Sequence, residues 1–167
     1  KIIFLSVLVS MGLALSVIES AIPLPITIPG AKLGLSNIVV LVTLVIFGFK
    51  EGIVVSILKS SVLMLVTGSV SSFIYSISGA IFSCIIMFIA YRFLSKIFSL
   101  IGVSILGALS HNTAQITVAS LMMNNLRIFT YLPFLMLTSL FTGYFVGLAS
   151  RYITRNLKKN INILLEK

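Results

Sequence analysis

The sequence contains no aspartate, and its only acidic side chains are three glutamates, Glu19, Glu51 and Glu166. That excludes paired-aspartate, magnesium-dependent chemistry, which needs carboxylates clustered around a hard cation. One cysteine, Cys84, excludes an internal disulfide, and its apolar setting Ile81-Phe-Ser-Cys-Ile-Ile-Met points to inert packing in a helix. One histidine, one remote cysteine and no aspartate do not make a metal-ligand set, so no metal site is expected. His111 has no acid near it in sequence and no nucleophile elbow appears, so a Ser–His–acid triad has no support. The glycine spacing Gly102 to Gly107 continues with Ala108-Leu109, which fails the phosphate-loop pattern and excludes ATP hydrolysis of that kind. A catalytic role is therefore not expected.

Charge is scarce as well. Only 9% of the 167 residues are charged, against about a quarter in soluble domains, while 59% are hydrophobic and the mean hydropathy is +1.21. The apolar runs are continuous rather than alternating, so the chain reads as an all-helical integral membrane protein and not a barrel. Six spans are expected, at about 2–22, 32–49, 52–68, 71–91, 98–122 and 131–150, forming one domain over 1–155 with a basic tail over 156–167. The first run resembles a signal-peptide core, but Glu19 and the prolines after it make a poor cleavage site, so a retained first span is expected. With an inner N-terminus, the inner segments hold nine basic residues, among them Lys50, Arg92, Lys96, Arg151, Arg155, Lys158 and Lys159. The outer segments hold two, Lys32 and Arg127. This positive-inside bias puts both termini in the cytoplasm and the tail against anionic headgroups. The net charge of +9 is thus a membrane-side asymmetry and not a nucleic-acid footprint.

Against that apolar background the polar residues stand out. Glu19 ends the first span; Pro23, Pro25, Pro29 and Gly30 stiffen the link that follows; Lys32 and Asn37 open the second. Lys59 lies in mid-span, too deep for its side chain to reach water fully, where a lysine costs about 2.5–3.5 kcal/mol on insertion scales. A carboxylate partner, a wet cavity or an anionic ligand would offset that, and Glu19 is the acid placed to help. Span five carries His111, Asn112 and Gln115, of which His111 and Gln115 share a face. Each is interhelical glue or part of a polar pocket. Arg127 follows Asn124 and Asn125 in the last outer loop. Two small-residue ridges, Ser6-Ser10-Ala14 and Ser139-Gly143-Gly147, serve either packing inside the bundle or docking on another membrane protein.

Five stretches together, Leu15-Ser-Val-Ile-Glu-Ser, Ile22-Pro-Leu-Pro, Pro29-Gly-Ala-Lys-Leu-Gly-Leu-Ser-Asn-Ile, Gly48-Phe-Lys-Glu and Gly102-Val-Ser-Ile-Leu-Gly-Ala-Leu-Ser-His-Asn-Thr-Ala-Gln, resemble the Gx transporter family. Its members also carry the name heptaprenyl diphosphate synthase component I, and the family resembles the substrate-binding S components of energy-coupling factor (ECF) transporters. The resemblance covers nearly the whole chain to about residue 155. It implies a six-helix bundle in the bacterial cytoplasmic membrane that captures a small, partly anionic, vitamin- or quinone-precursor-like molecule from outside. Glu19, Lys32, Asn37, Lys59, His111, Asn112, Gln115 and Arg127 would line the site, and Pro23 to Gly30 would gate it. The implied partners are a transmembrane coupling protein, met by the small-residue ridges, and two ATPases that would hydrolyse ATP; the chain itself would hold no cofactor. Two other readings stay open: a non-catalytic membrane subunit of a prenyl diphosphate synthase or a quinone or flavin redox system, and a solitary secondary transporter.

Overall fold

A computed structural model describes residues 2–22 and 33–165, with side chains through 159. Among the described residues the chain is all helical: α1 (Ile2–Ser20), α2 (Asn37–Phe47), α3 (Phe49–Thr67), α4 (Val70–Phe93), α5 (Leu100–Met122) and α6 (Leu132–Leu165), with a 3-10 turn at Leu126–Tyr131 before α6. Among the described residues three segments are long and apolar enough to cross a membrane: Ile2–Ser20, Val70–Phe93 and Leu126–Lys159. The protein is a membrane protein. Helix α6 has 34 residues, about 51 Å at the helical rise, which exceeds a hydrocarbon core of about 30 Å. The helix runs without a break through the basic tail. Its inner face carries Ser150, Ile153, Thr154 and Leu157, while Arg151, Arg155, Lys158 and Lys159 lie exposed.

Helix α2 organises the bundle. It packs against each of the other five, while α1, α3, α4, α5 and α6 follow one another around it. Its sequence explains that position, because Val39, Val40, Leu41, Val42, Thr43 and Leu44 are all buried, and a helix apolar on every side must be surrounded. One flank meets Cys84, Met87, Ala90 and Val103 of α4 and α5. The other meets Leu8 of α1 and Val55 of α3, with Ile153 and Leu157 of α6 packed behind.

Side-chain caps start two of the helices. Ser69 accepts from the Ser72 amide at 3.2 Å to open α4, and Ser99 accepts from the Gly102 amide at 3.4 Å to open α5. Gly48 alone separates α2 from α3, with φ +102° and ψ −174°, a region essentially restricted to glycine.

In membranes, small residues let helix backbones approach, and the α5–α6 seam is built that way. A Cβ on Gly143 would lie 2.7 Å from the Ile105 Cα, and one on Gly147 would lie 2.7 Å from the Ile101 Cα. Ser139, on the same ridge, is fully buried. The Ser139-Gly143-Gly147 ridge therefore packs on α5, the first of the two roles the sequence allowed it. The α1 ridge differs: Ser6, Ser10 and Ala14 are exposed.

The second span departs most from expectation. Regular helix begins at Asn37 and not near residue 32, because Leu33 to Ser36 form a turn with Gly34 at φ +84°. The eleven residues of α2 span about 16 Å.

Candidate functional site

The turn Leu33–Ser36 is where the polar residues gather. Non-helical backbone at membrane depth persists only where protein or a cavity satisfies its polar groups, and here several helices supply the partners. From α1, the Glu19 carboxylate accepts a short hydrogen bond from the Gly34 amide. From α3, the Lys59 Nζ donates to the Ser36 hydroxyl at 2.8 Å. From α6, the Thr142 hydroxyl donates to the Leu33 carbonyl at 3.3 Å. On the α5 side, the His111 Cδ2 lies 3.7 Å from where a Cβ on Gly34 would stand. The imidazole rests in turn on α4, since a Cβ on Gly79 would come within 2.8 Å of its Cε1. Asn37, the first residue of α2, places its Nδ2 3.1 Å from the Gly34 Cβ position. Side chains of α1, α2, α3, α5 and α6 thus reach this turn, and α4 backs the His111 ring.

Local sequence makes each reach possible. Leu8, Gly12, Ser16 and Glu19 share the buried face of α1, and Gly12 leaves room for the Lys59 stem, whose Cδ lies 3.2 Å from the Gly12 Cβ position. Lys59 is 1% exposed and Glu19 3%, so both charges are removed from water and tied to residues two apart in one turn. The buried lysine is engaged with the turn that enters α2. The first amides of α2 are engaged too. Asn37 N–H donates to the Gly34 carbonyl at 3.0 Å, Ile38 N–H to Leu35 at 3.1 Å and Val39 N–H to Ser36 at 3.4 Å. An anion approaching this helix start meets no open amides among them.

The other expected site residues divide. Gln115 is buried on α5, one helical turn beyond His111. Asn112 faces α6, where its Nδ2 donates to the Ser139 hydroxyl at 2.7 Å and the Leu135 carbonyl at 3.2 Å. Both its amide protons serve the α5–α6 seam, and among the described residues its carbonyl oxygen has no hydrogen-bond partner. Arg127 is exposed in the 3-10 turn, where the Asn125 side chain caps its amide at 3.0 Å. It borders a shallow cavity of about 340 Å³ with Ile128, Thr130 and Tyr131, and no described contact joins it to the Leu33–Ser36 turn. Lys32 and the gate residues Pro23, Pro25, Pro29 and Gly30 lie outside the described residues. Among the described residues no three His, Cys, Asp or Glu side chains converge.

Sequence reasoning missed Ser36, Thr142, Gly12, Gly34 and Gly79. The spacing of Gly12, Ser16 and Glu19 on one helical face was a usable signal for Gly12. Ser36 and Thr142 carried none, since hydroxyls in apolar helices usually bond back to their own helix, as Thr43 does to the Val39 carbonyl at 2.7 Å.

The arrangement can hold or release a segment. Two buried charges and the Thr142 hydroxyl hold the turn, Glu19 and Thr142 at its backbone and Lys59 at the Ser36 hydroxyl, and a flat ring and an amide border it. Comparison with curated proteins and with solved structures gives no match. The family model described as heptaprenyl diphosphate synthase component I, also called the Gx transporter family, matches residues 8–153, and the chain belongs to that family.

Proposed function

We propose that the chain is the substrate-binding S component of an ECF-type importer in the bacterial cytoplasmic membrane, crossing it six times with both termini inside. The observation that carries this reading is the polar grip on Leu33–Ser36. The segment between α1 and α2 joins α2 through that turn, which side chains of three other helices hold. In this reading the segment is the gate, and capture of a small organic molecule exchanges contacts of the turn for contacts with the ligand. His111, Asn37 and Gln115 would face the molecule; Glu19 and Lys59 would hold the gate's inner end.

The exposed ridge of α1 is the surface for the coupling protein. The Ser6 and Ser10 hydroxyls bond back to the Ile2 and Ser6 carbonyls at 3.2 and 3.0 Å, so the ridge presents small, internally satisfied groups to a neighbouring helix. Transport energy would come from partner ATPases. The test is isolation of the tagged full chain from its own membranes. Co-elution of a transmembrane coupling protein with two ATPases, lost in Ser10→Leu, supports the reading; their absence from the wild-type preparation overturns it.

The family's name favours a second reading, a membrane component associated with a prenyl diphosphate synthase. Co-elution of a soluble prenyl synthase instead of ATPases would support that one.

A further inference from the structure

The Asn37 carboxamide stands apart from the other polar groups at the turn. It is 3% exposed, and among the described residues neither its Oδ1 nor its Nδ2 has a hydrogen-bond partner. Buried amides are nearly always paired, and an unpaired one is costly enough to need an explanation. Its neighbours are satisfied: Gly34 N–H by Glu19 of α1, Ser36 by Lys59 of α3, and the first amides of α2 by the carbonyls of Gly34, Leu35 and Ser36.

We propose that Asn37 is the specificity-determining group of the capture site, and that the captured molecule presents a neutral, planar donor–acceptor edge: a lactam, an imide or a primary carboxamide. This rests on the reading of the chain as a capture protein. Whichever way the amide is turned, one of its edges donates and the other accepts, so its complement is a group that accepts and donates side by side. The His111 imidazole borders the same bare face of Gly34 as the Asn37 amide, with Cδ2 3.7 Å and Nδ2 3.1 Å from one point. A flat ring lying on the imidazole would bring its edge to Asn37. The charges argue for a neutral edge. Lys59 and Glu19 are both engaged with the turn, and the opening amides of α2 are occupied, so what Asn37 adds is a neutral donor and acceptor and not a charge to balance an anion. A site built to pair such an edge rejects analogues that lack it by large factors, because its own amide is then left unpaired.

Ligand-observed NMR on the full chain in lipid nanodiscs tests this with three probes of similar size: uracil, nicotinamide and benzoate. The expected result is saturable binding of uracil or nicotinamide, weakened at least tenfold in both Asn37→Leu and Asn37→Asp, with no saturable benzoate binding. If Asn37→Leu does not fold, the nearly isosteric Asn37→Asp decides. Amide-probe binding unchanged in the variants, benzoate binding as tight as nicotinamide, or no saturable binding of either amide probe overturns the proposal. Saturable benzoate binding alone would overturn the amide edge while leaving capture standing. Failure of the ATPases to co-elute with the wild-type chain would remove the importer reading without touching the binding data.

Discussion

Helix α2 is entered through a turn gripped by side chains and left through a single residue held by its own geometry. At the entry, Glu19, Lys59 and Thr142 each contribute one contact to Leu33–Ser36 from a different helix. At the exit, Gly48 caps α2 by donating to the Leu44 carbonyl at 3.1 Å and starts α3 by accepting from Gly52 at 3.1 Å. Aromatic contacts flank it, Phe4 on Phe47 with centroids 5.5 Å apart and Phe49 on Phe88 at 4.6 Å. Side-chain hydrogen bonds can be exchanged one at a time for a ligand or water, at about 1 kcal/mol for a neutral contact and about 1.5–3 kcal/mol for a charged one. A glycine-only backbone conformation between two packed helices has no such intermediate steps. The entry is thus held by separable side-chain contacts and the exit by one backbone conformation.

The largest expected effect is therefore at the exit. Gly48→Ala forces a Cβ into a conformation that only glycine adopts readily, at a cost of about 3 kcal/mol. Thermal unfolding of the purified protein should shift downward as a whole. If the melt is unchanged while the entry turn loosens, the comparison is backwards. Next comes Glu19→Leu, which leaves the buried Gly34 amide without its charged acceptor and is expected to cost about 2 kcal/mol. Here hydrogen exchange should rise first at Gly34 and its neighbours, ahead of any global change. Uniform loss of protection along α2 would show that the turn is not a separate unit.

Lys59→Met sharpens the contrast, because two terms oppose. The ammonium's contact with Ser36 is lost, worth about 1.5–3 kcal/mol for a charged hydrogen bond, and a burial cost of about 2.5–3.5 kcal/mol is relieved. Stability should stay within about 1 kcal/mol of wild type while exchange at Ser36 and Asn37 rises. A protein that fails to fold would make the lysine a structural keystone and not a clasp.

How far these features were legible in sequence follows from the physics that sets them. Helices α1, α3, α4 and α5 fall within a few residues of expectation, since runs of apolar residues bounded by Gly, Ser or Pro are local signals. The start of α2 was not legible, because Leu33 and Leu35 extend the apolar run and nothing local reports that Glu19, 15 residues earlier, takes the Gly34 amide. The burial cost of Glu19 and Lys59 singled them out, and it left their partner open because that partner is backbone and a serine. Gly143 and Gly147 read equally well as an outer ridge or an inner seam; only the approach of Ile101 and Ile105 decides. Asn112 and His111 are adjacent in sequence yet serve different neighbours, α6 and the turn, because successive helical residues point about 100° apart.

The smallest expected effect tests whether the entry grip is one unit. Thr142 donates to the Leu33 carbonyl at 3.3 Å, and its hydroxyl also lies 3.0 Å from the Thr138 carbonyl on its own helix. Thr142→Val keeps the shape and removes only the hydroxyl, so by itself it should cost about 0.6 kcal/mol, the average for a polar contact between membrane helices. Its value lies in combination with Glu19→Leu. If Glu19 and Thr142 hold the same turn from opposite sides, releasing it on one side lowers what the other contact contributes. The double variant should then lose less than the two single losses together, with a coupling of about 0.5 kcal/mol or more. Additive losses would mean that Leu33 and Gly34 are held independently, and a gate built on this turn would then open in two separate steps, one at each contact.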